Sequence, residues 1–178
     1  MQTGSWQFSE SDQAYVTQSL GRLPVGVVGV AARGPGGNPT VIINLPLVSI
    51  DERWQPFPTL YWLIDPELST QVSEVERKGG VDAIEAALQA DEELMRAHLV
   101  DNRWYARARW AVLNPKEVEI ARTHGLAEPL ESTGVGGVAN HESVKCLHAH
   151  LAFHLARNET GTTVGRLLKK RYDIYSKT

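Results

Sequence analysis

After one opening helix, the spacing of apolar residues changes character at Pro66. Between residues 25 and 65 apolar positions fall in short, β-branched runs cut by glycine and proline, the pattern of strands. Beyond Pro66 they recur every three or four residues, the period of helices. "VGVVGVAARG" reads as a strand, "GPGGNP" as its turn and "TVIINLP" as the partner, giving a hairpin over residues 25 to 45. The turn follows from chemistry: glycine admits positive φ and proline cannot continue a ladder. "TLYWLID", residues 59 to 65, reads as a third, buried strand. The "WQPFP" between them is expected to be irregular, since Pro56 and Pro58 lack backbone donors.

The opening helix is expected from Ser9 or Ser11 to Leu20-Gly21, with Tyr15, Val16 and Leu20 inward. Asp65-Pro66-Glu67 starts the next: an oxygen acceptor, a proline in the first turn, then a dipole-favoured carboxylate. Leu68, Val72 and Val75 form its inner stripe and Gly79-Gly80 ends it. Residues 81 to 113 read as one long helix, and Asn114-Pro115-Lys116-Glu117 starts another that stops at His124-Gly125. "EPLESTGVGGVAN" reads as a loop, residues 142 to 156 as a helix, and "VGRLLKKRYDIY" as a last short one. The expected fold is a single α+β domain over residues 1–178. Its small antiparallel sheet, the hairpin at 25–45 plus the strand at 59–65, packs against a mainly helical C-terminal layer.

Composition then removes function classes. Apolar residues at 42% and charged residues at 22% are ordinary for a globular chain. A formal charge of −3 supplies no basic field, which argues against nucleic acid as a partner. No apolar run approaches the ~20 residues of a bilayer span. The polar start "MQTGSWQFSESDQ" has no secretory pattern, and the lone Cys146 cannot form an internal disulfide. Both suit a cytoplasmic protein.

Chemistry concentrates in "VKCLHAHLAFHLA", Val144 to Ala156. With Val144 at zero on a helical wheel, Leu147, Leu151 and Leu155 fall at about 300°, 340° and 20°, the buried face. Cys146, His150 and His154 fall at about 200°, 240° and 280°, a stripe beside it, and His148 at about 40° takes the opposite flank. Cys146 and His154 lie roughly 12 Å apart along the axis, beyond one zinc ion with bonds of ~2.0–2.3 Å. The helix therefore supplies a pair, Cys146 with His150 or His150 with His154. Further ligands come from elsewhere, with Asp65, His141 and His98 qualifying by type. The plain alternative is an inert buried cysteine beside hydrogen-bonded histidines.

The preceding "GVGGVANHESVK" offers a second chemistry. Gly136 and Gly137 expose backbone N–H groups, Asn140 stands at the expected helix start, and Lys145 adds a full positive charge. Together they would cradle a phosphate or carboxylate without metal; otherwise the glycines only make a tight entry that Asn140 caps. Arg103, Arg107 and Arg109 lie among aromatics, either as an anion or partner surface or as long side chains covering apolar area.

"PFPTLYWL", followed some eighty residues later by "VKCLHAHLAFHLA", resembles the bacterial domain-of-unknown-function 501 family, and "LGRLPVGVVGVAARGPGGNP", Tyr105 and Arg109 fit it too. The resemblance implies a small bacterial cytosolic protein and brings no reaction. It also implies a cysteine in the "AARGPGG" stretch and a cysteine or histidine at position 65. This chain has Gly34 and Gly36 in the first place and Asp65 in the second. A sulfur-rich cluster is thereby disfavoured and a mixed His/carboxylate/Cys site is left. Three functions follow as expectations. The first is a divalent-metal site, zinc by preference, with an open position for a hydrolytic water, from Cys146, His150, His154 and Asp65. The second is a metal-free anion site from Gly136, Gly137, Asn140 and Lys145. The third is a protein–protein interaction module.

Overall fold

The computed structural model describes residues 7–174; the first six residues and Tyr175, the end of the expected last helix, lie outside them. Helix α1 (Glu10–Leu20) opens with a reciprocal cap, Ser9 and Asp12 each accepting the other's backbone N–H. Strands β1 (Val27–Arg33) and β2 (Pro39–Asn44) form the expected antiparallel hairpin. Its turn is closed by Gly37 at φ 80°, whose N–H donates to Gly34 O at 2.9 Å.

The chain then makes a second, small hairpin where the prolines predicted irregular structure. Strands β3 (Leu47–Ile50) and β4 (Arg53–Pro56) pair antiparallel, with Asp51 and Glu52 both at positive φ in the two-residue turn. Both strands are edges, and Pro56 is the last residue of its strand, where a missing donor is tolerated. The expectation of irregular structure is corrected to that extent.

Strand β5 (Tyr61–Leu63) returns to the other side of β2, completing a sheet of order β1-β2-β5. Ile42 and Ile64 pack toward Val16 of α1 on one face. Ile43 and Tyr61 pack on the other against Tyr105, Ala149 and Phe153, which lie on α4 (Glu92–Ala111) and α7 (Leu147–Ala156).

The helical layer comprises α2 (Pro66–Arg77), α3 (Gly80–Gln89), α4, α5 (Pro115–Thr123), α6 (Ala127–Ser132), α7 and α8 (Thr163–Tyr172). Two expectations change here. The long helix over 81–113 is two helices, because Asp91 accepts from the N–H groups of Glu93 and Leu94 and starts a new helix. The loop at 128–140 contains α6 and a one-turn 3-10 segment, Val135–Gly137. The α+β class, small sheet and helical C-terminal part stand as expected.

Arg109 holds the approach to β5. Its guanidinium is fully buried and donates to the carbonyls of Pro58, Pro129, Leu130 and Thr133 at 2.6–3.2 Å. Tyr105 Oη accepts the Leu60 N–H at 2.8 Å just ahead of the strand. No helix among the described residues is long and apolar enough to cross a membrane.

Candidate metal centre

Helix α7 starts at Leu147, five residues later than the sequence pattern suggests, and this shift decides the site. Cys146 is the residue before the helix, in extended backbone at φ −146° and ψ 114°, so the helical wheel does not place it. Carboxylates from distant helices serve the first N–H of the helix and one just before it. Glu76 Oε1 of α2 accepts from Leu147 N at 2.6 Å, and Glu85 Oε1 of α3 accepts from Val144 N at 2.6 Å. A negative group at a helix N-terminus is favoured by the macrodipole.

The same carboxylate reaches the ligand-type side chains. One donor atom each from Glu76, Cys146 and His148 lies within 4.8 Å of the other two, all three residues being half-buried. Glu76 Oε2 is 3.2 Å from His148 Nδ1, while His148 Nε2 lies 3.1 Å from Ser69 O and 3.2 Å from Ser73 Oγ. A carbonyl only accepts, so Nε2 carries a hydrogen and Nδ1 is the nitrogen that turns to the cluster. This is how a metal-binding histidine is usually oriented from behind. Cys146, and then Glu76, hold His148 above the ordinary histidine range, at about 9, against the opposing effect of burial. Among the described residues no other three His, Cys, Asp or Glu side chains converge in this way.

The expected ligands are therefore only partly assembled. Cys146 is in the cluster, but its partner is His148, the residue the wheel set on the opposite flank. His150 points into the core, 2% exposed, with its ring centroid 5.6 Å from that of His98 on α4. His154 accepts the Thr162 N–H on Nδ1 at 2.8 Å, and its ring lies against Gly165, where any Cβ would collide with it. Asp65 caps α2 by accepting from Leu68 N at 2.9 Å. His141 Nε2 lies 2.6 Å from Ser132 O. Glu76 went unread in the sequence, although Ser69, Ser73 and Glu76 stand at i, i+4 and i+7, a polar stripe on one face of α2.

The cluster borders a cavity of about 280 Å³ between β5 and the start of α7. Tyr61, Trp62 and Leu63 line one side; Gly136, Lys145, Cys146 and His148 line the other. Of the expected anion cradle, Gly136 and Lys145 reach this cavity. Gly137 instead packs on Pro58, a Cβ there falling 3.1 Å from the proline ring, and Asn140 accepts from Glu142 N in an exposed turn.

An α+β fold with a Cys/His/Glu cluster beside a small cavity defines the class of the molecule by architecture. The chain belongs to the family described as protein of unknown function (DUF501), whose model matches residues 30–170. That span holds β5, α2 and α7, and so the whole cluster. No curated protein and no solved structure matches the chain.

Proposed function

We propose that Glu76, Cys146 and His148 bind a divalent metal ion, zinc by ligand chemistry, at the wall of the β5–α7 cavity. The observation that carries this reading is the mutual approach of a sulfur, a nitrogen and an oxygen donor to within 4.8 Å. Thiolate, imidazole and carboxylate are together a zinc ligand set, and three protein donors leave a fourth position open, as catalytic zinc sites do. Zinc in such a site brings the pKa of a bound water to about 7, which makes hydrolysis the reaction class this site serves. A thiol–imidazole–carboxylate relay fits less well. It needs the imidazole between its partners, one nitrogen for each, and here Nε2 is already engaged by Ser69 and Ser73. Lys145, on the cavity wall, supplies a positive charge for the bound molecule.

The test is metal analysis of protein purified without chelator or histidine tag. About one zinc per chain is expected, retained by His154→Gln and lost by Cys146→Ser and by His148→Ala. Zinc content that is unchanged in those two variants would exclude the reading.

A further inference from the structure

His148 stands between two cavities that adjoin at Leu63. The first, about 280 Å³, is lined by the aromatic side of β5 and holds Lys145 and Cys146. The second, about 360 Å³, is lined by Ser19, Leu63, Ser69, Thr70 and Ser73, and His148 Nε2 touches Ser69 and Ser73 on its wall. Together they follow the free edge of β5. The register explains why that edge is chemically unfinished. Asn44 N donates to Leu60 O and Ile64 N to Thr40 O, each at 2.9 Å, so the bonds to β2 run through residues 60, 62 and 64. The main-chain groups of Tyr61 and Leu63 then face away from β2. The Leu63 N–H and C=O have no hydrogen-bond partner among the described residues.

We infer that this groove binds an extended polypeptide segment, added as a fourth strand alongside β5 with its main chain paired to Leu63. Three observations select that occupant. An unpaired N–H and C=O on one residue of a half-buried strand edge are matched by another extended backbone. Two cavities in line, on either side of His148, suit alternate side chains of one chain better than one compact molecule. Lys145 at one end favours an acidic residue there. The inference deepens the metal reading and rests on it for what the groove presents at its midpoint.

The test uses the zinc-loaded full chain and, as probe, fluorescein-labelled, reduced and carboxymethylated α-lactalbumin, a permanently unfolded acidic polypeptide, followed by anisotropy. Saturable binding is expected. Leu63→Ala keeps the edge donor and should bind within about threefold of the parent. Leu63→Pro removes only a donor that β2 does not use and should weaken binding by about tenfold or more. Ser73→Trp, an exposed position that fills the second cavity, should weaken it comparably, and it decides the matter if Leu63→Pro fails to fold. No saturable binding, or equal binding by the parent and a folded Leu63→Pro or Ser73→Trp variant, would overturn the inference. Zinc measured on the same samples separates the two readings: zinc bound but no polypeptide bound removes this one alone, and polypeptide bound by a chain that takes up no zinc removes the metal.

Discussion

Glu76 and His148 are joined twice: directly, by a 3.2 Å contact between Oε2 and Nδ1, and through the backbone, because Oε1 holds the Leu147 N–H next to the histidine. One carboxylate thus starts the helix and completes the cluster. Glu76→Gln keeps an oxygen for the Leu147 N–H but loses the anionic ligand. Zinc affinity should fall about 10-fold to 100-fold or more, with the melting temperature of the metal-free protein close to the parent's. Glu76→Ala should lose both, costing metal-free stability by about 1 kcal/mol as a lost cap does. Competition titration with a chromogenic chelator, set beside thermal melts, reads both; a metal-free Glu76→Gln protein as unstable as Glu76→Ala would show that the charge acts only on the helix.

Metal and proton compete for His148 Nδ1. Its pKa, pushed up to about 9 by Cys146 and Glu76, means the imidazole is charged at neutral pH and must release a proton to bind zinc. Apparent zinc affinity should therefore rise by at least about tenfold per pH unit from pH 6 to 8 and flatten above about 9. In the metal-free protein the sign is opposite. A raised histidine pKa contributes stability below the ordinary value near 6.5 that is lost as pH rises through about 9. Calorimetric titration in two buffers of different ionisation enthalpy counts the protons released, and a pH-independent affinity would contradict the ligand role of His148.

The residues that misled the sequence reading show where local pattern stops being informative. The hairpin of β1 and β2, the Asp65 cap and the Asn114 cap are local, each fixed by side chains within three residues, and they stand where the pattern put them. The break at Asp91 was legible too, since "DEE" carries a cap and two acidic first-turn residues, but an unbroken apolar period masked it. The start of α7 was not legible in the same way. Its first N–H is capped by Glu76, 71 residues away, and the Val144 N–H just before the helix is held by Glu85, 59 residues away, so nothing in "ANHESVKC" announces the position. The metal candidates follow from that one displacement. With Cys146 outside the helix, the wheel angle separating it from His148 has no meaning, and the His150 and His154 rings turn to core and cap contacts.

Arg109 should be the most costly side chain to remove from the fold. Burial pushes its pKa below the ordinary arginine value, yet among the described residues no carboxylate pairs with it; four backbone carbonyls accept its hydrogen bonds instead. Arg109→Met fills similar volume but leaves those carbonyls without donors, at about 1–3 kcal/mol for each that stays dry. A total loss of about 3 kcal/mol or more is expected in urea unfolding. Arg109→Lys should recover little of it, because one ammonium cannot span the fork from Pro58 to Leu130. A loss below about 1 kcal/mol would mean that water replaces the guanidinium and that the loops it joins hold themselves.

His150 governs the acid limb of stability. Its Nε2 is buried without a hydrogen-bond partner, and its ring lies beside that of His98, both groups being within 2% of full burial. Burial foremost, with His98 adding to it, pushes His150 down to about 3. A base depressed in the folded state leaves stability complete above the unfolded value near 6.5. Stability then declines as pH falls toward about 3, with a slope approaching 1.4 kcal/mol per pH unit for one proton. His98 is lowered by burial as well, so the parent should show more than one proton of slope. His150→Phe keeps an aromatic ring against His98 and removes the orphaned nitrogen. At pH 7 it should be neutral or stabilising, and between pH 6 and 4 its slope should be smaller than the parent's by about one proton. His150→Ala also lacks the titrating group but leaves a cavity, so it should lie about 3 kcal/mol below His150→Phe at every pH, as large-to-small core changes do. Urea unfolding of the three proteins at pH 4, 5, 6 and 7 measures the difference. Parallel curves for the parent and His150→Phe would assign the acid limb to other groups.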